Sequence, residues 1–105
     1  MDRIEKNVLK SFINLMTDKI SVNKVILFGS RARGDAEWDS DMDVLVIVDE
    51  LTEEKEDYIS ECAWEAGFEC GIVLVPVVYT VNEWESGPER FSLLAAAIRS
   101  EGVYL

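Results

Sequence analysis

The sequence contains no histidine, and this absence removes several kinds of active site at once. Without histidine the chain cannot form a Ser-His-Asp or Cys-His nucleophile system, an HExxH zinc site or a histidine general base. Cysteine is scarce as well, because Cys62 and Cys70 are the only two. Two cysteines are too few for a zinc cage or a disulfide framework. They are most simply interpreted as reduced thiols of a cytoplasmic protein.

Basic residues are few relative to acidic ones, and long apolar runs are missing. Ten lysines and arginines stand against twenty-one aspartates and glutamates in 105 residues, which gives a formal net charge of −11. A phosphate backbone repels such a chain, so we expect no nucleic-acid binding by the protein on its own. The longest nearly apolar run, from Gly71 to Tyr79, is far shorter than the roughly 18 residues of a membrane span. The charged N-terminus does not resemble a signal peptide.

Hydrophobic periodicity predicts alternating helices and strands within one domain, residues 1–105, because the few glycines and prolines are scattered and form no linker. Three- and four-residue spacing of apolar side chains predicts helices over residues 2–20, 52–67 and 88–102. Branched apolar runs predict strands over residues 22–28, 43–48 and 71–81, with a turn or abbreviated helix over 31–40. The last helix is expected to pack through Phe91, Leu94, Ala95 and Ile98.

The order α-β-(turn)-β-α-β-α indicates an α/β (α+β) fold, with a mixed three-stranded sheet covered by helices. The connection between the first two strands is short, which favours an antiparallel pair. The helix between the second and third strands allows a right-handed parallel crossover. Pro76 cannot donate a backbone hydrogen bond, so the third strand is expected at an edge of the sheet. The apolar tail, Val103 to Leu105, is expected to fold back onto the sheet or onto a neighbouring subunit.

Residues that could carry chemistry are concentrated between Gly29 and Asp43. A glycine at the end of a strand lets backbone N–H groups approach a phosphate closely, and the Ser30 hydroxyl adds a donor. Asp41 and Asp43 are two residues apart at the start of a strand, so their side chains point to the same face. Two carboxylates in that arrangement are suitable ligands for Mg²⁺ or Mn²⁺. An antiparallel pair of strands would bring both features together.

Two arginines follow Ser30, and their roles are open from the residues alone. Arg31 and Arg33 could neutralise phosphate charge. They could equally pair with nearby acids of the loop that follows, Asp35, Glu37 and Asp39.

The combined pattern resembles the signature of the polymerase-β-type nucleotidyltransferase superfamily, and specifically its minimal nucleotidyltransferase (MNT) domains. The matching segments are Leu-Phe-Gly-Ser-Arg-Ala-Arg-Gly at 27–34 and Asp-Ser-Asp-Met-Asp at 39–43. The resemblance implies that Gly29 and Ser30 hold the phosphates of a nucleotide, and that Asp41 and Asp43 hold the divalent metal. Arg31, beside Ser30, is a further candidate phosphate ligand. It also implies transfer of a nucleoside monophosphate from an NTP, ATP being the expected one, to a hydroxyl with release of pyrophosphate.

The chain departs from the pattern of this family at the third strand. Active members usually carry a third carboxylate there, facing the aspartate pair. The strand of this chain offers only apolar residues, and the nearest acid is Glu69, just before it. Glu69 is therefore a candidate third carboxylate, and a solvated residue of the helix-to-strand turn is the alternative.

The resemblance also implies a partner. Larger relatives hold the acceptor with an extra domain, so here the acceptor is expected on another chain, either a second copy or a small helical protein. Minimal nucleotidyltransferases are often encoded beside a HEPN toxin, for which they act as antitoxin. Three functions stay open: an active transferase, a degenerate binding module or antitoxin that acts by contact alone, and a nucleotide or metal sensor without turnover.

Overall fold

The computed structural model describes residues 1–88 and 92–105, so the predicted packing of Phe91 lies outside the described residues. Five helices and four strands lie within these ranges. The helices are α1 (Arg3–Thr17), α2 (Ser30–Arg33), α3 (Glu53–Phe68), α4 (Val81–Ser86) and α5 (Leu93–Glu101). The strands are β1 (Val22–Phe28), β2 (Met42–Val48), β3 (Leu74–Thr80) and β4 (Val103–Tyr104).

The strands form one mixed sheet in the order β3-β2-β1-β4. β1 and β2 are antiparallel, and β2 and β3 are parallel, as the sequence predicts. β3 lies at an edge of the sheet, where the missing N–H group of Pro76 does not cost the sheet a hydrogen bond. The mixed α/β fold class is therefore confirmed.

The predicted strand count of three is wrong, because the C-terminal tail adds a fourth strand. Val103 and Tyr104 pair antiparallel with Leu27 and Ile26 along the free side of β1. The next amide, that of Leu105, donates to the Val25 carbonyl at 2.9 Å. A two-residue strand is too short to show periodicity in the sequence. The backbone groups on the open side of β1 provide the partners that the sequence pattern cannot reveal.

The start of the last predicted helix is also corrected. Instead of one helix from Pro88, the chain forms α4 directly after β3 and begins α5 at Leu93. Thr80 caps α4 through a capping box with Glu83. Ser92 caps α5 by accepting from the Ala95 amide. These side-chain caps, and not the proline, set the two helix starts.

Apolar side chains cover both faces of the sheet, and alternation along β2 assigns Asp43 to one of them. Val44 and Val46 pack on the face covered by α1 and α3. Leu45 and Ile47 pack on the opposite face, with Trp84 of α4 and Ile98 of α5. Asp43 continues the second series, so its carboxylate lies on the α4 and α5 side. Among the described helices, none is both long and apolar enough to cross a membrane.

Candidate nucleotide and metal site

Gly29 and Asp43 lie side by side because β1 ends where β2 begins. Phe28, the last residue of β1, pairs with Asp43 in the antiparallel register. Gly29 then turns the chain with φ +76°, a conformation that L side chains rarely adopt. A Cβ built on Gly29 would stand 2.6 Å from Asp43 Oδ2. Glycine is therefore favoured at position 29 for two reasons: the turn has a positive φ, and the Asp43 carboxylate occupies the space of a side chain.

The segment after Gly29 forms the single helical turn α2, as the abbreviated helix predicted for this stretch. The amides of Ala32 and Arg33 both donate to the Gly29 carbonyl at 3.1 Å. Ser30 is the first residue of this turn and is half-buried. The antiparallel pairing thus places the Gly29-Ser30 step beside the start of β2, and the predicted phosphate-binding and metal-binding residues are neighbours in the fold.

Asp41 and Asp43 stand on either side of Met42, the first residue of β2, and their negative charges act on one another. Asp41 is exposed and Asp43 is half-buried. Burial, and in second place the charge of Asp41, raise the pKa of Asp43 above its ordinary value. Both causes disfavour the ionised form of Asp43, so a cation bound to the two carboxylates would stabilise that form. Hard oxygen ligands that repel one another in this way fit Mg²⁺ or Mn²⁺.

Arg31, one of the predicted phosphate ligands, is buried and holds other protein groups. Its Nη1 donates to Glu5 Oε2 at 3.0 Å, and Nε and Nη2 donate to the Ser40 carbonyl at 3.0 and 2.7 Å. Nη2 also donates to the Trp38 carbonyl at 3.2 Å. All three guanidinium nitrogens therefore hold α1 or the loop that leads into Asp41.

Glu5 is the residue of this region that sequence reasoning missed. It is as buried as Arg31, each being 8% exposed. Its backbone amide donates to Asp2, and its other carboxylate oxygen accepts from the Asp2 amide, which forms the capping box of α1. The signal was present in the spacing: Glu5 stands four residues before Leu9, on the buried stripe of α1. An acid at such a position requires a buried cation.

Arg33 pairs with acidic residues, one of the two roles that the sequence left open for it. It is exposed and pairs with Asp35 at 3.2 Å and with Glu101 at 3.1 Å. The hydrogen bond to Glu101 is the largest of the causes that raise the pKa of Arg33. This side chain therefore ties α2 to the end of α5.

No third carboxylate joins the aspartate pair within residues 1–88 and 92–105. In these ranges no three acidic or cysteine side chains come close enough together to hold a metal ion. Glu69 is the exposed C-terminal cap of α3, a helix that packs on the face of the sheet opposite to Asp43. The β3 residue level with Asp43 is Val75, which carries no ligand atom.

Comparison with known proteins decides the family. The family model described as "Nucleotidyltransferase domain" matches residues 9–98. The chain belongs to this family. The match spans all the residues of the Gly-Ser and Asp-x-Asp segments, and it confirms the predicted resemblance to nucleotidyltransferases.

Relatives of this nucleotidyltransferase domain include two proteins of Methanocaldococcus jannaschii that are provisionally named protein adenylyltransferases. One is 38% identical over 77 residues, which cover 72% of this chain and 76% of the relative. The other is 33% identical over 76 residues, with 70% and 72% covered.

Two solved structures resemble the nucleotidyltransferase domain in fold. A chain of a toxin–antitoxin crystal structure with AMP-PNP matches with a TM-score of 0.63 and 20% identity, over 90% of this chain and 69% of that one. A chain of the Shewanella oneidensis complex of a tri-AMPylated HEPN toxin with an MNT antitoxin matches with a TM-score of 0.58 and 19% identity. That match covers 96% of this chain and 70% of the other.

Proposed function

We propose that this nucleotidyltransferase domain transfers adenylate from ATP to a hydroxyl of a partner protein, with Mg²⁺ or Mn²⁺ as cofactor, and releases pyrophosphate. The observation that carries the proposal is the close approach of Asp43 to Gly29, where a Cβ would stand 2.6 Å from Asp43 Oδ2. A glycine turn after a strand can accept phosphate, and Asp43 with Asp41, two residues before it, can hold divalent metal, so their closeness supports the proposal. The relatives named as protein adenylyltransferases support adenylate as the transferred group.

Each residue of the site has a separate task in this proposal. Asp41 and Asp43 hold the cation, which when bound neutralises phosphate charge and orients the triphosphate. Gly29 leaves room for the phosphates beside Asp43, and the Ser30 hydroxyl donates to a phosphate oxygen. Arg31 does not bind phosphate in this proposal. It holds the Ser40 carbonyl and so fixes the approach of Asp41 to the site.

The partner that we propose is a small helical protein of the HEPN type, with this domain as its antitoxin. The structural neighbours support this proposal, because the Shewanella complex contains an AMPylated HEPN toxin bound to an MNT antitoxin. The described residues contain no third acid at the site and the sequence contains no histidine. We therefore propose that the partner contributes the group that receives the proton of the attacking hydroxyl.

A second function, binding of the partner without transfer, is favoured by the same missing acid. Val75, level with Asp43, cannot complete a three-carboxylate site. A domain of this kind would act by contact alone, or would sense nucleotide without turnover.

Label transfer from ATP distinguishes these functions. The purified chain is incubated with Mg²⁺, a HEPN-type protein and ATP labelled at the α-phosphate or, in parallel, at the γ-phosphate. Transfer predicts label on the partner from the α-position only. It also predicts loss of label with Asp43→Asn and unchanged label with Asp49→Asn, a matched change at the far end of β2. Metal-dependent ATP binding without label would indicate a sensor, and partner binding without ATP binding would indicate action by contact.

A further inference from the structure

An apolar groove lies at the C-terminal end of α3, on the side of the sheet away from Asp43. Its volume is about 430 Å³. It is lined mainly by apolar side chains from α3, from the turn after it and from β3, namely Trp64, Phe68, Ile72, Val73, Leu74 and Pro76. Trp64 and Phe68 are 67% and 65% exposed, and their ring centroids are 4.8 Å apart. Exposed aromatic pairs in a groove are characteristic of protein interfaces.

The rim of this groove is acidic. Glu61 and Glu65 lie beside Trp64 on α3, and Glu69 caps the same helix. Of the described residues that line the groove, none is basic. The nearest lysine of α3, Lys55, lies more than two turns before Trp64 and approaches Glu50 instead. A ligand of this surface therefore needs apolar side chains for the groove and positive charge for its rim.

A β-strand is a poor ligand for this edge of the sheet. The Val73 carbonyl accepts from the Met42 amide at 2.8 Å, so Val73 presents its backbone groups to β2. Backbone groups alternate sides along a strand, so Pro76, three residues later, faces the open edge without an N–H group. An added strand would lose a hydrogen bond in the middle of its ladder. Side-chain packing by a helix needs no such bonds.

A second copy of this chain is also a poor ligand. Self-association through the groove would bring two acidic rims together in a chain of net charge −11. Like charges at an interface oppose association, whereas opposite charges accelerate and orient it.

We propose that this groove docks a basic amphipathic helix of a partner protein. The apolar stripe of the helix would cover Trp64 and Phe68, and its lysines or arginines would pair with Glu61 and Glu65. The docking surface and Asp43 lie on opposite faces of the sheet. A docked partner would therefore leave the nucleotide site open, and the proposal does not depend on transfer activity.

Binding of two synthetic peptides tests this proposal. One is a helical peptide with leucine at three- and four-residue spacing and arginine elsewhere, and the other has the same composition in scrambled order. We expect the labelled amphipathic peptide to bind the whole chain, without nucleotide, at least about tenfold more tightly than the scrambled one. Amide shifts in NMR spectra should map to α3 and to the turn before β3.

Matched variants locate the surface. Trp64→Ser with Phe68→Ser should weaken binding about tenfold or more, whereas Trp38→Ser, an exposed tryptophan elsewhere, should leave it unchanged. Glu61→Gln with Glu65→Gln should weaken binding and its salt dependence, and Glu53→Gln with Glu54→Gln should do neither. Unfolding curves confirm that each variant folds. Equal binding of both peptides, or equal effects of Trp38→Ser, would overturn the proposal. Self-association abolished by Trp64→Ser would overturn the choice of ligand.

Discussion

Glu5 and Arg31, 26 residues apart in the chain, form a buried ion pair with an Oε2–Nη1 distance of 3.0 Å. The pair connects the first turn of α1 to the loop that leads into Asp41. Removing either member leaves the other without its charged partner in a buried position. Removing Arg31 also frees the Ser40 carbonyl.

The change Arg31→Ala is expected to lower the free energy of unfolding by about 3 kcal/mol, the lower range for a broken buried pair. Arg33→Ala is the matched control on the same helical turn. Its exposed ion pairs are expected to contribute less than about 1 kcal/mol. Urea unfolding measures both values. Similar losses for the two variants would show that burial of Arg31 does not determine its contribution.

Gly29→Ala should destabilise the protein more than Gly34→Ala does. Both glycines have positive φ, but Gly34 is in the αL region (ψ 13°), whereas Gly29, with ψ −159°, is in a region that almost only glycine adopts. The backbone cost of alanine is therefore about 1–2 kcal/mol at Gly34 and up to about 3 kcal/mol at Gly29. Only at Gly29 would the new Cβ meet a neighbour, Asp43 Oδ2 at 2.6 Å, since nothing lies within 4 Å at Gly34. The double variant Gly29→Ala with Asp43→Ala should recover part of the difference, as measured in a double-mutant cycle. Additive losses would contradict the contact.

Asp43→Asn should make the metal-free protein more stable at about pH 7 and leave its stability unchanged at about pH 3. The pKa of Asp43 is higher in the folded chain than its ordinary value of 3.8, so the folded state binds the proton more tightly. The resulting stabilisation is complete below the ordinary pKa and is lost as pH rises through the raised one. The asparagine variant avoids this loss.

Urea unfolding in EDTA across this pH range measures the effect, with Asp49→Asn as the control. Addition of Mg²⁺ with ATP should then stabilise the parent protein and fail to stabilise Asp43→Asn, because only the parent binds the complex. A calorimetric titration in which Asp43→Asn bound Mg-ATP with the affinity of the parent would contradict the assignment of Asp43 as a metal ligand.

Ser30→Ala should weaken ATP binding by about 1 kcal/mol, the usual net contribution of one hydrogen bond. Ser30 is the first residue of α2, immediately after the glycine that Asp43 approaches closely. Ser100→Ala, an exposed position on α5, is the matched control and should bind ATP as the parent does. Isothermal titration calorimetry in Mg²⁺ gives both affinities. Equal affinity for the parent and Ser30→Ala would show that Ser30 only starts the helical turn.

Glu69→Gln should leave Mn²⁺ and nucleotide affinity within about twofold, as a surface change does. Val75→Asp should instead raise Mn²⁺ affinity, because residue 75 is level with Asp43 in the parallel register and points to the same face. The metal-free form of that variant should be less stable, since a third negative charge joins the pair. Loss of metal binding with Glu69→Gln would restore Glu69 as a ligand.

Much of the fold could be predicted from the sequence, because its signals are local. Apolar runs marked β1, β2 and β3, and the lone Pro76 marked an edge. The start of α4 also has a local signal, because Thr80 and Glu83 have the spacing of a capping box. The apolar tail predicted a contact with the sheet but not the strand β4, because two residues show no period and their partner β1 lies far earlier in the chain.

For the candidate site, the sequence by itself determined which chemical groups are available. The order of glycine and serine, and the spacing of two aspartates at i and i+2, can be read directly from it. The tertiary structure decided which groups meet. The register of the strands brings Asp43 next to Gly29 and level with Val75. Arg31, a candidate phosphate ligand in the sequence, is buried in the fold and pairs with Glu5. The reason is physical: spacing along one strand fixes which face a side chain occupies. Contacts between distant segments depend on how strands and helices pack, and no local pattern records that.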